Sequence, residues 1–155
     1  MPAAEQPDIN VDATPAALTG HGIVAGFGIP GRAVVDALTR RRQPVIVIEL
    51  NPRTVERLVH TFHPGTQFIF GDVSEEAMLL QAGIKTAALL AITVPVDSAV
   101  LEAVKVGRRL NPGIHIIARC RYISTALEAS RCGATEVVSE EQVVAQEFTR
   151  LIERG

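Results

Sequence analysis

Short apolar runs alternate with amphipathic stretches from His21 to the end of the chain. The apolar runs have the length of buried strands. The stretches between them place apolar residues at helical spacing, as at Val55, Leu58, Val59 and Phe62. Several runs are apolar at consecutive positions, which is typical of strands buried on both faces of a parallel sheet. The pattern therefore predicts six strands and six helices in alternation.

The boundaries of these elements follow from the runs and from capping residues. The strands are expected at Ile23–Phe27, Pro44–Ile48, Gln67–Phe70, Ala87–Thr93, Ile114–Arg119 and Glu136–Val138. The helices are expected at about Pro30–Arg42, from Pro52 behind an Asn51 cap, from a Ser74 cap through Ala82 to Gly83, and at Asp97–Leu110, Ile123–Arg131 and Glu141–Ile152. This alternation predicts an α/β fold: a three-layer, doubly wound, Rossmann-like domain with a six-stranded parallel sheet in the order 3-2-1-4-5-6.

Residues 1–20 differ from the rest because Pro2, Pro7 and Pro15 lie among small and polar residues without periodicity. This composition is typical of a flexible tail or linker. Residues 21–155 are expected to form a single nucleotide-binding domain.

Composition excludes several classes of protein. The chain has 155 residues, a net charge of −2 and 4% aromatic residues, which disfavours nucleic acid as a partner. No window approaches the roughly 18 apolar residues that a membrane-spanning helix needs. Cys120 and Cys132 form no redox pair, and the histidines show no metal-ligand spacing. The arginines at 40–42 and 108–109 are expected to be solvated at helix ends.

The sequence Gly26–Gly31, G-F-G-I-P-G, follows the first predicted strand and opens the first predicted helix. In such a G-x-G-x-x-G turn the glycines permit a tight bend, the approach of a phosphate and close packing of helix on strand. The residues Phe27, Gly28, Ile29 and Pro30 would surround that phosphate, although Pro30 lacks an N–H group to donate.

Other candidate residues lie where the remaining strands end. Glu49 lies 18 residues after Gly31, where a carboxylate can accept hydrogen bonds from ribose hydroxyls and repel a 2′-phosphate. Asp72 is a candidate acceptor for an adenine amino group or a structural turn residue. Arg119 is expected either to face a phosphate or to pair with a carboxylate. The full candidate set adds Leu50, Arg53, Gly71, Val73, Thr93 and Val94.

The ordered set of motifs resembles the TrkA-N domains, the N-terminal lobes of RCK domains that regulate K+ conductance. The segments that carry the resemblance are Gly26–Gly31, Val45–Glu49, Gly71–Ser74, Ala82–Ile84, Ile116–Arg119 and Gly133–Val138. The segment Asn111–Arg121 is most similar to the cytosolic domains of Kef-type monovalent cation:proton antiporters. Many relatives have an arginine directly after the second motif glycine, whereas this chain has Ile29-Pro30.

The resemblance implies a cytoplasmic regulatory domain, usually dimeric, of a membrane-embedded K+ channel, uptake system or antiporter. Its expected ligand is AMP or NAD(H), with ADP and ATP as further candidates. Two enzyme classes remain as alternatives: an NAD-dependent oxidoreductase acting with a separate catalytic chain, and a SAM-dependent methyltransferase. In the last predicted helix, Val143, Val144, Phe148 and Leu151 share one face. That face is expected either to pack on its own domain or to dock a second subunit.

Overall fold

The computed structural model describes residues 18–59 and 65–155. Most of the expected tail, and the side chains of Val59 and Phe62, lie outside the described residues. Within them the strands are β1 (Gly22–Ala25), β2 (Val45–Glu49), β3 (Thr66–Phe70), β4 (Leu89–Ile92), β5 (His115–Cys120) and β6 (Glu136–Ser139). The helices are α1 (Ile29–Arg40), α2 (Pro52–Val59), α3 (Glu76–Gln81), α4 (Asp97–Leu110), α5 (Ile123–Cys132) and α6 (Glu140–Arg154).

The six strands form one sheet in the order β3-β2-β1-β4-β5-β6, and every neighbouring pair is parallel. The predicted α/β, doubly wound, Rossmann-like fold and its strand order are confirmed. The chain order reverses between β1 and β4. In open parallel sheets this switch point leaves a crevice at the carboxyl ends of the strands, where ligands bind.

Alternate residues of the central strands point to opposite faces of the sheet, and both faces are buried. On β2, Ile46 and Ile48 join the core beneath α3, α4 and α5, whereas Val45 and Val47 join the core beneath α1 and α2. This two-sided burial explains why the strand is apolar at consecutive positions. The continuous apolar runs of the sequence therefore report the layered architecture.

Several predicted helix ends agree with the structure. The Asn51 side chain accepts a hydrogen bond from the backbone N–H of Arg53 at 3.0 Å, as expected of a cap for α2. Gly83 follows the last residue of α3 with φ of +74°, a conformation that glycine adopts without strain. The prediction for Ser74 was wrong, because α3 begins at Glu76 and Ser74 bonds to Asp72 instead.

The last helix stands apart from the sheet. The cap of α6 is the Ser139 hydroxyl, which accepts from the N–H of Gln142. From Glu141 onward every residue of α6 is exposed, including Val143, Val144 and Phe148. The face that the sequence left open between self-packing and docking is therefore not covered by the described part of its own domain.

The two neighbouring arginines at the end of α4 have different environments. Arg108 is partly buried and donates five hydrogen bonds: to the carbonyls of Gly133 (from two nitrogens), Pro112 and Ile114, and to the Thr135 hydroxyl, over 2.7–3.1 Å. The expectation of a solvated Arg108 was wrong, because the turns before β5 and β6 both direct carbonyls at the end of α4. Arg109 is exposed and pairs with Glu76 at 2.9 Å.

We expect Arg108→Ala to destabilise the protein by about 2–4 kcal/mol, because several carbonyl groups lose a charged donor. Arg109→Ala is the matched control and should cost at most about 1 kcal/mol, as exposed ion pairs do. Urea unfolding of the two variants measures both values. Equal losses would contradict the structural role assigned to Arg108.

Candidate functional site

The turn between β1 and α1 is fixed by contacts of the backbone itself. Gly26 has φ of +98°, and the Thr93 hydroxyl donates to the carbonyls of Ala25 and Gly26 at 2.9 and 3.1 Å. A Cβ atom on Gly31 would lie 1.9 Å from the Gly26 carbonyl oxygen. Any side chain at Gly31 would therefore push α1 away from the strand end. This is the close helix–strand packing that the sequence motif predicts.

The N-terminus of α1 ends at this turn without a side-chain cap. Its capping residue is Gly28, and no side chain accepts a hydrogen bond there. The first turn contains no acidic residue, and Pro30 removes one N–H group. The remaining terminal amides belong to Gly28, Ile29 and Gly31, and they carry the partial positive charge of the helix end. Such a terminus can hold a phosphate.

Glu49, at the end of β2, holds the turn in place. One carboxylate oxygen accepts the backbone N–H of Phe27 at 2.7 Å, and the other accepts the N–H of Asn51 at 3.2 Å. A carboxylate has about four acceptor positions, so these two bonds leave capacity for ligand hydroxyls. The Phe27 ring itself is buried and packs edge-on against Phe68 at 5.5 Å. Phe27 therefore contributes backbone, and not its ring, to the site.

Asp72 lies after β3 and shapes the loop that faces Glu49. Its Oδ1 atom accepts from the backbone N–H and the hydroxyl of Ser74, at 2.9 and 2.6 Å. The structural turn that the sequence left open is thus present. Within the described part of the chain, Oδ2 of Asp72 has no hydrogen-bond partner, so one oxygen remains available.

Arg119, on β5, is already paired. Its Nε donates to Glu140 at 2.6 Å, and a second nitrogen contacts the same carboxylate oxygen at 2.5 Å. A third nitrogen donates to the Thr93 carbonyl at 2.9 Å. Of the two roles considered for Arg119, pairing with a carboxylate is the one that the structure contains. The partner, at the first residue of α6, was not identified from the sequence because 20 residues separate it from Arg119.

These groups meet around one cavity of about 1130 Å³ at the carboxyl edge of the sheet. Thirteen of the fifteen candidate residues line it: Gly26, Phe27, Gly28, Ile29, Pro30, Glu49, Leu50, Gly71, Asp72, Val73, Thr93, Val94 and Arg119. Gly31 lies buried beneath the turn, and the exposed Arg53 is not part of the lining. The structure therefore brings together residues from four separate strand ends.

The wall formed by α4 was missed from the sequence. It adds Val96, Ser98, Ala99 and Glu102 to the lining, together with the loop residue Pro95. The available signal was the position of α4, which begins directly after β4 at the same edge of the sheet as the glycine turn. A search restricted to the strand ends passes over it.

Acidic groups dominate the charge of the lining. Glu49, Asp72 and Glu102 are carboxylates, whereas Arg119 is the one basic residue among the described lining residues. Cys120 follows Arg119, and burial, with a smaller effect of Asp97, raises the pKa of its thiol to about 11. That thiol therefore stays protonated at neutral pH.

Two searches of residues 18–59 and 65–155 found no further kind of site. No group of three or more His, Cys, Asp or Glu side chains there is arranged to hold a metal ion. None of the helices in those ranges combines the length and apolar character that a bilayer crossing requires.

Three curated proteins illustrate what the chain is similar to. The candidate cation/proton antiporter YbaL of Escherichia coli is 28% identical over 90% of this chain and 24% of YbaL. The candidate K(+) efflux antiporter KefB of Alkalimonas amylolytica is 31% identical over 79% of this chain and 18% of KefB. Potassium channel protein 1 of Methanocaldococcus jannaschii is 25% identical over 86% of this chain and 40% of the channel. The chain thus spans less than half the length of these relatives.

Solved structures agree with the fold. The TrkA-N domain of YbaL from Escherichia coli has a TM-score of 0.81 and 27% identity, covering 88% of this chain and 98% of that one. A Kef C-terminal domain of Shewanella denitrificans, in an AMP-bound form, has a TM-score of 0.70 and 24% identity over 88% of this chain and 82% of that one. The GsuK channel bound to NAD has a TM-score of 0.71 and 19% identity over 80% of this chain and 22% of that one.

The model of the TrkA-N domain family matches residues 22–140, which contain all six strands and the whole cavity lining. With that match and the shared fold, the chain belongs to the TrkA-N domain family.

Proposed function

We propose that residues 21–155 bind an adenine nucleotide in the cavity at the carboxyl edge of the sheet. The observation that carries the proposal is the juxtaposition of two recognition groups. The uncapped N-terminus of α1 offers backbone donors, and Glu49 offers acceptors at the neighbouring strand end. A phosphate and a ribose are joined at the distance that separates adjacent strand ends in this fold.

The lining suggests how such a ligand would lie. The phosphate would meet the amides of Gly28 and Ile29, while the ribose hydroxyls would donate to Glu49. The base would then extend toward Leu50 and Asp72, where the free Oδ2 can accept from an exocyclic amine. The AMP-bound Kef domain and the NAD-bound GsuK channel, which share this fold, support a nucleotide as the ligand class.

We further propose that the domain regulates a membrane-embedded K+ channel, K+ uptake system or K+/H+ antiporter from the cytoplasmic side. The support comes from the relatives, which are candidate antiporters and a potassium channel several times longer than the matched segment. The described lining residues include no histidine, cysteine, lysine or tyrosine, which favours ligand sensing over proton-transfer catalysis.

The exposed face of α6 supports a homodimer as the working form. Its apolar residues Val143 and Val144 border a second cavity of about 430 Å³, whose other walls are Val34 on α1 and the sheet residues Ile117 and Val138. One chain thus presents both a protruding apolar helix and an uncovered apolar groove beside it. Two copies related by a twofold axis can bury both surfaces at once.

Gly28→Asp should abolish nucleotide binding and leave the fold intact. A Cβ on Gly28 meets no atom closer than 4.0 Å, so the new side chain fits, but its charge repels a phosphate. Gly113→Asp adds the same charge at another open, exposed glycine and is the matched control. Isothermal titration with AMP and NAD+, together with melting curves, measures both effects. Binding by Gly28→Asp at wild-type affinity would contradict the proposed site.

Glu49 should make the protein prefer NAD+ over NADP+ by at least about tenfold, because its carboxylate repels a 2′-phosphate. In Glu49→Ala the affinity for NAD+ should fall by about 1–2 kcal/mol, and the gap between the two dinucleotides should narrow. Glu56→Ala removes an exposed carboxylate outside the cavity and should change neither value. Indistinguishable wild-type affinities for NAD+ and NADP+ would refute this role.

The dimer predicts a specific effect of charge on α6. Phe148 is 66% exposed in the single chain, so Phe148→Glu should leave the monomer folded but shift the protein from dimer to monomer. Leu80→Glu alters an exposed apolar residue on α3 and should leave the dimer unchanged. Light scattering after size exclusion gives the mass of each. A wild-type monomer at high micromolar concentration would rule out the proposed dimer.

A further inference from the structure

The cavity is large but poor in available positive charge. Its one basic residue among those described, Arg119, is engaged by Glu140 through two nitrogens and by the Thr93 carbonyl through a third. Three carboxylates, Glu49, Asp72 and Glu102, line the same space. A bound anion therefore meets more negative than positive side-chain charge.

The backbone compensates for this only at one point. The terminal amides of α1 supply roughly half an elementary charge, and Pro30 removes one of the donors. The Phe27 amide is not available because Glu49 already accepts its hydrogen. These donors can stabilise one phosphate, or the two singly charged phosphates of a dinucleotide, close to the helix end.

Further phosphates would have to lie beyond the reach of α1. The adjoining wall is formed by Val94, Pro95 and Val96, with Glu102 on α4. Apolar side chains and a carboxylate do not replace the hydration of a charged phosphate. Size does not exclude a triphosphate, because the cavity of about 1130 Å³ is larger than most small-molecule sites. The obstacle is charge.

From this arrangement we infer that the site selects nucleotides by their net charge. It accepts an adenine ligand with about one or two negative charges, such as AMP or NAD+, and discriminates against ATP. The inference rests on the proposed nucleotide function and names the ligand class within it. The specificity elements are Glu102, which repels additional phosphates, and Glu140, which keeps Arg119 from neutralising them.

Titration calorimetry on the full chain with AMP, NAD+, ADP and ATP, in EDTA at low ionic strength, tests the inference. Wild-type protein should bind ATP at least about tenfold more weakly than AMP, a difference of about 1.4 kcal/mol, with ADP between them. Added salt should narrow the gap, because it screens repulsion between charges.

Two variants remove the repulsion independently. Glu102→Gln neutralises an exposed carboxylate that makes no described hydrogen bond, and Glu140→Gln weakens the hold on Arg119. Each should raise the affinity for ATP by about threefold or more, and raise that for AMP by less. Glu128→Gln, an exposed carboxylate on α5 outside the cavity, is the control and should leave the ratio unchanged.

The outcomes separate the two levels of the argument. If wild-type protein binds ATP as tightly as AMP, or if neither variant changes the ratio, charge selection is wrong while the nucleotide site stands. If none of the four nucleotides binds, the proposed function is wrong, and the selectivity is overturned with it. Melting curves of Glu140→Gln establish that α6 is retained, and Glu102→Gln decides the matter if it is not.

Discussion

The contact between Gly31 and the Gly26 carbonyl is the constraint on which the rest of the site depends. A Cβ on Gly31 would overlap that oxygen, so α1 can approach the end of β1 only because the residue is glycine. Thr93 fixes the same carbonyl from β4. The helix terminus is therefore held over the switch point of the sheet by packing, before any ligand arrives. A binding group that is already in position loses less entropy on binding.

The carboxylates of the site serve two purposes that cannot be separated. Glu49 ties Phe27 and Asn51 together, and Asp72 closes the turn with Ser74, so each shapes the loop from which it would meet a ligand. This explains how an acidic cavity is tolerated, because both side chains are stabilised by backbone N–H groups. It also means that their replacement alters loop geometry as well as ligand contacts, so melting curves must accompany every affinity.

The fold was predictable from the sequence because its signals are local or periodic. The apolar run at Val45–Ile48, the Asn51 cap and the Gly83 ending each act within a few residues. The errors came from distant contacts. Arg108 and Arg119 are joined to groups about 20 residues away or more, and nothing in the flanking sequence distinguishes them from solvated arginines.

Most of the candidate site was predictable for the same reason as the fold. Strand ends of a parallel sheet share one edge, so naming the residues after each strand names most of the cavity lining. What the strand ends cannot give is the state of the side chains. Arg119 lines the cavity as expected, yet its charge is already neutralised by Glu140. A list of residues therefore overstates the positive potential of the site.

The Arg119–Glu140 pair also lies where the two cavities meet. Pro30, Thr93 and Arg119 line both the large cavity and the apolar groove beside α6, and Glu140 belongs to the groove alone. A ligand shifts a conformational equilibrium only through contacts that differ between the two states. Among the described residues, the groups shared by both cavities are where such differences can arise. A nucleotide confined to Glu49 and Asp72 would leave the groove as it is, whereas one that engages Arg119 changes a wall of both.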